Sequence, residues 1–171
     1  MTDDELMKAI AQRDSAAYST LANRHVDRLY RYALRLSGDG ATAEDLVQDA
    51  WMTVWEKPQS YKPGKVKFVT WLHRVLYNRF VDQLRRDRIE YTDQTDKLDS
   101  VQTTDSSDTR MQAFNQALTR LPEQQKAALL LSHMQGFSNP EVAHIMGLTV
   151  RAVESLQARA RKSLTSIFNE R

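Results

Sequence analysis

The sequence predicts an all-α protein built from two small helical domains joined by an acidic, flexible linker. Three observations carry that expectation. Five glycines and four prolines in 171 residues leave few breaks, and no run of β-branched residues alternates with period two, so nothing reads as a strand. Apolar residues recur instead at three- and four-residue intervals, the spacing that lines one side of a helix. Between residues 87 and 108 that stripe disappears, and seven acidic residues stand against Arg88 and Lys97 alone. The segment "DRIEYTDQTDKLDSVQTTDSSDT" is rich in Asp, Ser, Thr and Gln and buries too little surface to offset the entropy of ordering it. The predicted domains are therefore 1–88 and 111–171, with 89–110 as the linker. Each is small, so each needs tight helix packing or a partner to complete a core.

In the first domain, "DELMKAIAQRDSAAYSTLANRHVDRLYRYALRLSGD" carries Leu21, Val26, Leu29, Tyr30, Ala33 and Leu34 at helical spacing. It stops at Ser37-Gly38, where glycine suits the left-handed residue that ends a helix. "TAEDLVQDAWMTVWEK" is predicted to open at Thr42 with two acids in its first turn, and Pro58 closes it. Leu46, Val47, Ala50, Trp51 and Val54 form its core stripe, while Glu44, Asp45, Gln48 and Asp49 form an acidic outer patch. Such a patch repels DNA and suits a basic protein partner; it also suits an ordinary solvated helix start. After the loop "PQSYKPGKVK" comes "FVTWLHRVLYNRFVDQLRRDR", with Phe68, Trp71, Leu72 and Val75 on one side and Arg74, Asn78, Asp82, Arg85 and Arg86 on others. Counting Lys62, Lys65 and Lys67 in the loop beside Tyr61, nine Lys/Arg lie between 57 and 88 against Asp82 and Asp87. Cations interleaved with aromatics and amides suit single-stranded nucleic acid. The same run also reads as core aromatics beside a solvated helix end.

In the second domain, "MQAFNQALTRL" reads as one helix and "PEQQKAALLLSHMQG" as another opened by Pro122. "NPEVAHIMGLTVRAVESLQARARKSL" then reads as two helices in immediate succession. Ser138 or Asn139 suits the first cap, Pro140 the first turn, Gly147 the left-handed end, and Thr149 the next cap. Val142, Ile145, Leu148, Val153, Leu156, Ala160 and Leu164 make the seam. At about 100° per residue, Arg151, Ser155, Ala158 and Lys162 fall opposite Val153, flanked by Glu154 and Arg159. This is a helix-turn-helix pattern whose second helix offers a narrow basic surface, suited to the major groove of duplex DNA. A plain αα-hairpin with a solvated charged face is the alternative reading.

Several function classes are disfavoured. The chain has no cysteine, which excludes disulfides, a CxxC zinc site and a thiol nucleophile. His25, His73, His133 and His144 are scattered, no glycine-rich phosphate loop exists, and no nucleophile–base pair stands out. No enzyme activity and no cofactor or metal are expected. The acidic N-terminus lacks the apolar core of a signal peptide, and no stretch approaches the ~18 apolar residues of a membrane span, so the expectation is a cytoplasmic protein without membrane contact of its own. A DNA-binding activator or repressor is the rival class; it would bind duplex DNA tightly alone.

Together "RLYRYALRLSGDGATAEDLVQDAWMTVWE", "FVTWLHRVLYNRFVDQLRRDR" and "ALTRLPEQQKAALLLSHMQGFSNPEVAHIMGLTVRAVESLQARARKSL" resemble the extracytoplasmic-function class of bacterial sigma factors, over nearly the whole chain. The resemblance implies sigma domain 2, a linker and sigma domain 4. Its partners would be core RNA polymerase (clamp helices and flap), promoter DNA in duplex and single-stranded form, and an anti-sigma factor. Asp45, Gln48 and Asp49 would dock on the clamp helices. Tyr61, Lys62, Lys65, Lys67, Arg74, Asn78, Asp82, Arg85 and Arg86 would serve the −10 element, the loop around Tyr61–Lys67 holding a flipped non-template base. Arg151, Glu154, Ser155, Ala158, Arg159 and Lys162 would read the −35 element. The acidic linker would follow the RNA-exit path of polymerase.

Overall fold

A computed structural model describes residues 1–91 and 109–169. Within them the chain forms eight α-helices: α1 (Asp3–Ala11), α2 (Ser15–Ser37), α3 (Gly40–Glu56), α4 (Phe68–Tyr91), α5 (Thr109–Thr119), α6 (Glu123–Leu129), α7 (Asn139–Met146) and α8 (Val150–Asn169). No strand occurs among the described residues. Helix α4 runs beyond the expected end of the first domain at residue 88. The bulk of the acidic segment lies outside the described residues.

Local chemistry sets the boundaries. Thr2 and Glu5 form a reciprocal capping box at the start of α1, satisfying two of the N–H groups a helix start leaves orphaned. Where an uninterrupted pattern is read in the sequence, α1 and α2 are separate: Arg13 takes φ 65 and Asp14 caps α2 by accepting from Ala16 and Ala17 N–H. Arg13 is held there, its guanidinium donating to the Trp55 carbonyl at 2.6 Å. Helix α3 starts at Gly40 rather than Thr42 because Asp39 provides the cap, accepting from Thr42 N–H and Oγ1–H. Gly38 and Gly147 end α2 and α7 with φ 71 and φ 67, the left-handed conformation glycine adopts without a Cβ clash.

Helices α1 to α4 enclose Leu21, Leu29, Leu36, Leu46, Val54, Phe68, Leu72 and Leu76, all buried. Helices α5 to α8 enclose Leu118, Ala127, Leu131, Val142, Ile145, Val153 and Ala160. These cores are not separate. Helix α4 packs along α7, and α2 meets α6 and the π-turn Leu130–Met134, making one contiguous apolar cluster. The sequence predicts that each small domain needs tight helix packing or a partner surface; here each packs its own helices and also rests on the other.

The seam between the halves is polar at its centre. Arg28 on α2 donates Nε–H to Gln135 Oε1 at 3.1 Å and a second N–H to the Gln135 carbonyl. The guanidinium lies 4.9 Å from the centre of the Phe137 ring, a cation–π distance. Gln135 Oε1 also stands 3.2 Å from His73 Nε2, whose ring contacts Phe137 edge-on at 4.8 Å. Further along α4, Thr70 donates to Glu141 at 3.1 Å, and the Arg74 guanidinium lies 3.4 Å from the His144 ring.

Candidate nucleic-acid interface

Three surfaces collect the residues singled out from the sequence. The first is the outer face of α3. Glu44, Asp45 and Gln48 are exposed and Asp49 is half-buried, because the opposite stripe of Leu46, Val47, Ala50, Trp51 and Val54 anchors the helix in the core. The same face continues to Met52, one helical turn on, with 52% of its surface exposed. Sequence reading missed Met52: a methionine beside Trp51 counts as one more apolar residue unless the register is followed to seven residues past Asp45. Carboxylates flanking an exposed, adaptable thioether disfavour nucleic acid and have the chemistry that suits a protein partner.

The second surface is the loop after α3 together with α4. Lys62, Lys65 and Lys67 are exposed, as are Asn78, Asp82, Arg85 and Arg86. Tyr61 differs from them: it is 4% exposed, its ring edge-on to Phe68 at 5.7 Å and 5.5 Å from Trp71. Its hydroxyl donates to Asp4 Oδ1 at 2.5 Å and lies 3.1 Å from the Val66 carbonyl. Burial first, then the Asp4 carboxylate, pushes the phenol's pKa well above its ordinary value, so Tyr61 remains a donor throughout the physiological range. The ring thus anchors the loop to the core. A cavity of about 450 Å³ opens beside it, lined by Asp3, Asp4, Tyr61, Lys65, Val66 and Lys67 among others. Arg74 also departs from the open placement expected for it, lying half-buried between α4 and His144 of α7.

Charges at this seam are tuned by their neighbours. Burial alone raises the Glu141 carboxyl's pKa, but hydrogen bonds from Ser138 and Thr70 and the nearby Lys67 outweigh it and hold the group below its usual range. Burial, then the Arg74 charge, lowers the pKa of His144.

The third surface is the outer face of α8. Arg151, Glu154, Ser155, Ala158, Arg159 and Lys162 are all exposed on it, while Val153, Leu156 and Ala160 are buried beneath. Ser138 caps α7 in a capping box with Glu141, and Thr149 accepts from Ala152 N–H to start α8. Gln157, buried, donates to Asn139 Oδ1 at 2.9 Å, fixing the angle between the two helices. Small side chains between basic ones let a helix approach base edges and phosphates closely.

The surfaces lie within segments of known lineage. Sigma-70 region 2 matches residues 21–89 and Sigma-70, region 4 matches residues 111–164. The ECF RNA polymerase sigma factor SigE of Mycolicibacterium smegmatis is 36% identical over 165 residues, covering 90% of this chain and 63% of its own length. The ECF RNA polymerase sigma factor SigM of Mycobacterium tuberculosis is 31% identical, covering 98% of this chain and 85% of its own. Among solved structures, the sigma factor RpoE in complex with the anti-sigma factor NepR from Bartonella quintana aligns with a TM-score of 0.78 at 28% identity, covering 89% of this chain and 96% of that one. CnrH in complex with the cytosolic domain of CnrY shares the fold, with a TM-score of 0.74 at 24% identity over 98% of this chain and 97% of that one. A region 2 followed in order by a region 4, together with these relatives, places this chain in the extracytoplasmic-function sigma factors, the family that binds core RNA polymerase and directs it to promoters.

Proposed function

We propose that this sigma factor divides promoter opening among its three surfaces. Asp45, Gln48 and Asp49 dock on the clamp helices of the polymerase largest subunit. Lys62, Lys65, Lys67, Asn78, Asp82, Arg85 and Arg86 engage the melted −10 strand, Arg74 joins them once it leaves His144, and Tyr61 shapes the loop that holds a flipped base. Residues 1–88 carry these two duties, and residues 111–171 carry the −35 duty through Arg151, Glu154, Ser155, Ala158, Arg159 and Lys162, with this second domain resting on the polymerase flap. Residues 89–110 bridge the domains along the RNA-exit path.

The observation that carries the reading is the separation of charge: an exposed acidic face on α3, and exposed basic faces on the 61–67 loop, α4 and α8. A strand of DNA cannot sit on the first, and a basic protein helix is repelled by the others. Flipping a base costs a few kcal/mol of stacking, returned by the site that receives it. The chain contributes binding and no catalytic residue; polymerase supplies the phosphoryl chemistry. The likeness to a sigma factor solved with its anti-sigma factor supports an anti-sigma partner for this chain, and a cytoplasmic setting follows from work on promoters. No helix among the described residues is long and apolar enough to cross a membrane.

Run-off transcription with purified core polymerase and a library of promoters tests the reading. The expected result is core-dependent initiation at a defined −10/−35 pair and weak duplex binding without core. Tight, selective duplex binding by the chain alone, with no transcript, overturns it in favour of an ordinary DNA-binding regulator.

A further inference from the structure

The loop between α3 and α4 has to reverse the chain while keeping Lys62, Lys65 and Lys67 in solvent. After the 3₁₀ turn Pro58–Ser60 it contains no regular structure, and Gly64 turns it through φ 87. What gives it a fixed shape is Tyr61. The ring is seated on Phe68, the first residue of α4, and the hydroxyl lies within reach of two acceptors, Asp4 Oδ1 at 2.5 Å and the Val66 carbonyl at 3.1 Å. A phenol has one proton to donate. The carboxylate is the stronger acceptor, so the proton goes to Asp4, and the Val66 carbonyl is the alternative acceptor when that bond is absent.

Asp4 is itself rigidly held. It lies in the first turn of α1, which is fixed by the Thr2–Glu5 capping box and by Leu6, Met7 and Ile10 in the core. The neighbouring Asp3 is engaged elsewhere, with Arg24 at 3.1 Å and His25 at 2.9 Å. Helix α1 precedes residues 21–89, the span matched by Sigma-70 region 2, so the family match does not assign this brace.

We propose that Asp4 is a positioning residue for promoter melting, holding Tyr61 so that the 61–67 loop keeps the shape that receives a bared −10 base. This rests on the reading above that the loop engages the melted strand. Asp4 does not contact DNA in this role; it acts through Tyr61, and its loss leaves a loop that reaches the strand but does not hold it in register.

Holoenzyme reconstituted with core polymerase provides the test, with permanganate reactivity of −10 thymines as the measure of melting. Asp4→Ala and Tyr61→Phe each lower open-complex formation about tenfold, the worth of one charge-assisted hydrogen bond, while core association and duplex −35 binding stay at wild-type levels. The double variant is no worse than either single one, because both remove the same bond. Asp4→Asn, which keeps an acceptor oxygen but not its charge, restores part of the activity; a loss that did not run through this oxygen would not be rescued this way. Normal melting by Asp4→Ala, multiplying effects in the double variant, or an Asp4→Asn no better than Asp4→Ala overturns the proposal. A Lys65→Ala/Lys67→Ala variant separates the causes. If it lowers melting while Asp4→Ala does not, only the role of Asp4 fails; if it melts promoters normally, the loop does not engage the strand and the underlying reading fails with it.

Discussion

His73 is fully buried between the halves of the molecule, and its ring nitrogens face the Val69 carbonyl at 2.8 Å and Gln135 Oε1 at 3.2 Å. Burial, reinforced by Arg28 and His25, lowers its pKa from 6.5 to about 4 against the two hydrogen bonds that favour the charged form. Between those values the unfolded chain binds a proton the folded chain refuses, so stability falls as pH is lowered through the window. At ~1.4 kcal/mol per pKa unit the loss is roughly 3 kcal/mol. Urea unfolding at pH 7 and pH 4 should therefore show a larger drop for the wild type than for His73→Gln, by about that amount; equal drops would refute the assignment. Met52 makes a different residue-scale case. As the apolar member of the α3 face, it fits the pattern of a central anchor ringed by polar groups. Met52→Ala should weaken core association by about tenfold, about 1.4 kcal/mol, with promoter-DNA contacts unaffected, as read by competition for core polymerase. Unchanged competition would remove Met52 from the docking face.

At the scale of elements, what the sequence discloses depends on whether the deciding chemistry is local. The α7–α8 pair is legible because its signals fall within a few residues of one another: Ser138 and Glu141, Gly147, Thr149. The six outward residues of α8 follow from helical register alone. The break between α1 and α2 is not legible, since Arg13 enters the left-handed region without being glycine and is held by the Trp55 carbonyl 42 residues away. The same holds for Tyr61, whose partner Asp4 is 57 residues distant, and for Arg74, whose neighbour His144 is 70 residues distant. Exposure of Lys62, Lys65 and Lys67 is legible, because a charged side chain in a loop stays in solvent. Helix α8 gives a direct prediction. If it lies in the groove, Lys162→Ala should weaken −35 duplex binding on all sequences alike and reduce the salt slope by about one, the mark of a lost phosphate contact. Arg151→Ala, if that residue reads a base edge, should cost about 1–3 kcal/mol and relax preference at one position. Gel shifts of holoenzyme on promoter variants across a salt series decide both, and loss of core association by either would count against the placement.

On the scale of the whole molecule, α7 covers one residue that region 2 is proposed to offer to DNA, Arg74, while Lys62, Lys65, Lys67, Asn78, Asp82, Arg85 and Arg86 stay exposed. Helix α7 lies along α4, Glu141 accepts from the Thr70 hydroxyl and His144 lies against Arg74, while the basic outer face of α8 and the acidic face of α3 remain exposed. Arg28 is the hub of this arrangement: it donates to Gln135 twice and covers Phe137. Removing it leaves the buried Gln135 oxygens short of donors, a cost of about 3 kcal/mol on the scale of hydrogen bonds to charged groups, and that cost falls on the contact between domains rather than on either core. Arg28→Ala should accordingly keep its helix content by circular dichroism yet show a larger radius of gyration by small-angle scattering, as the two helical halves on either side of residues 92–108 move apart. If DNA and α7 compete for Arg74 as proposed, the opened variant should also bind single-stranded −10 DNA several-fold more tightly than the wild type at equal salt. A radius of gyration identical to the wild type's would mean that apolar packing along α4 and α7 holds the halves together without Arg28. An increased radius without any gain in single-strand affinity would show that α7 does not screen the −10 surface.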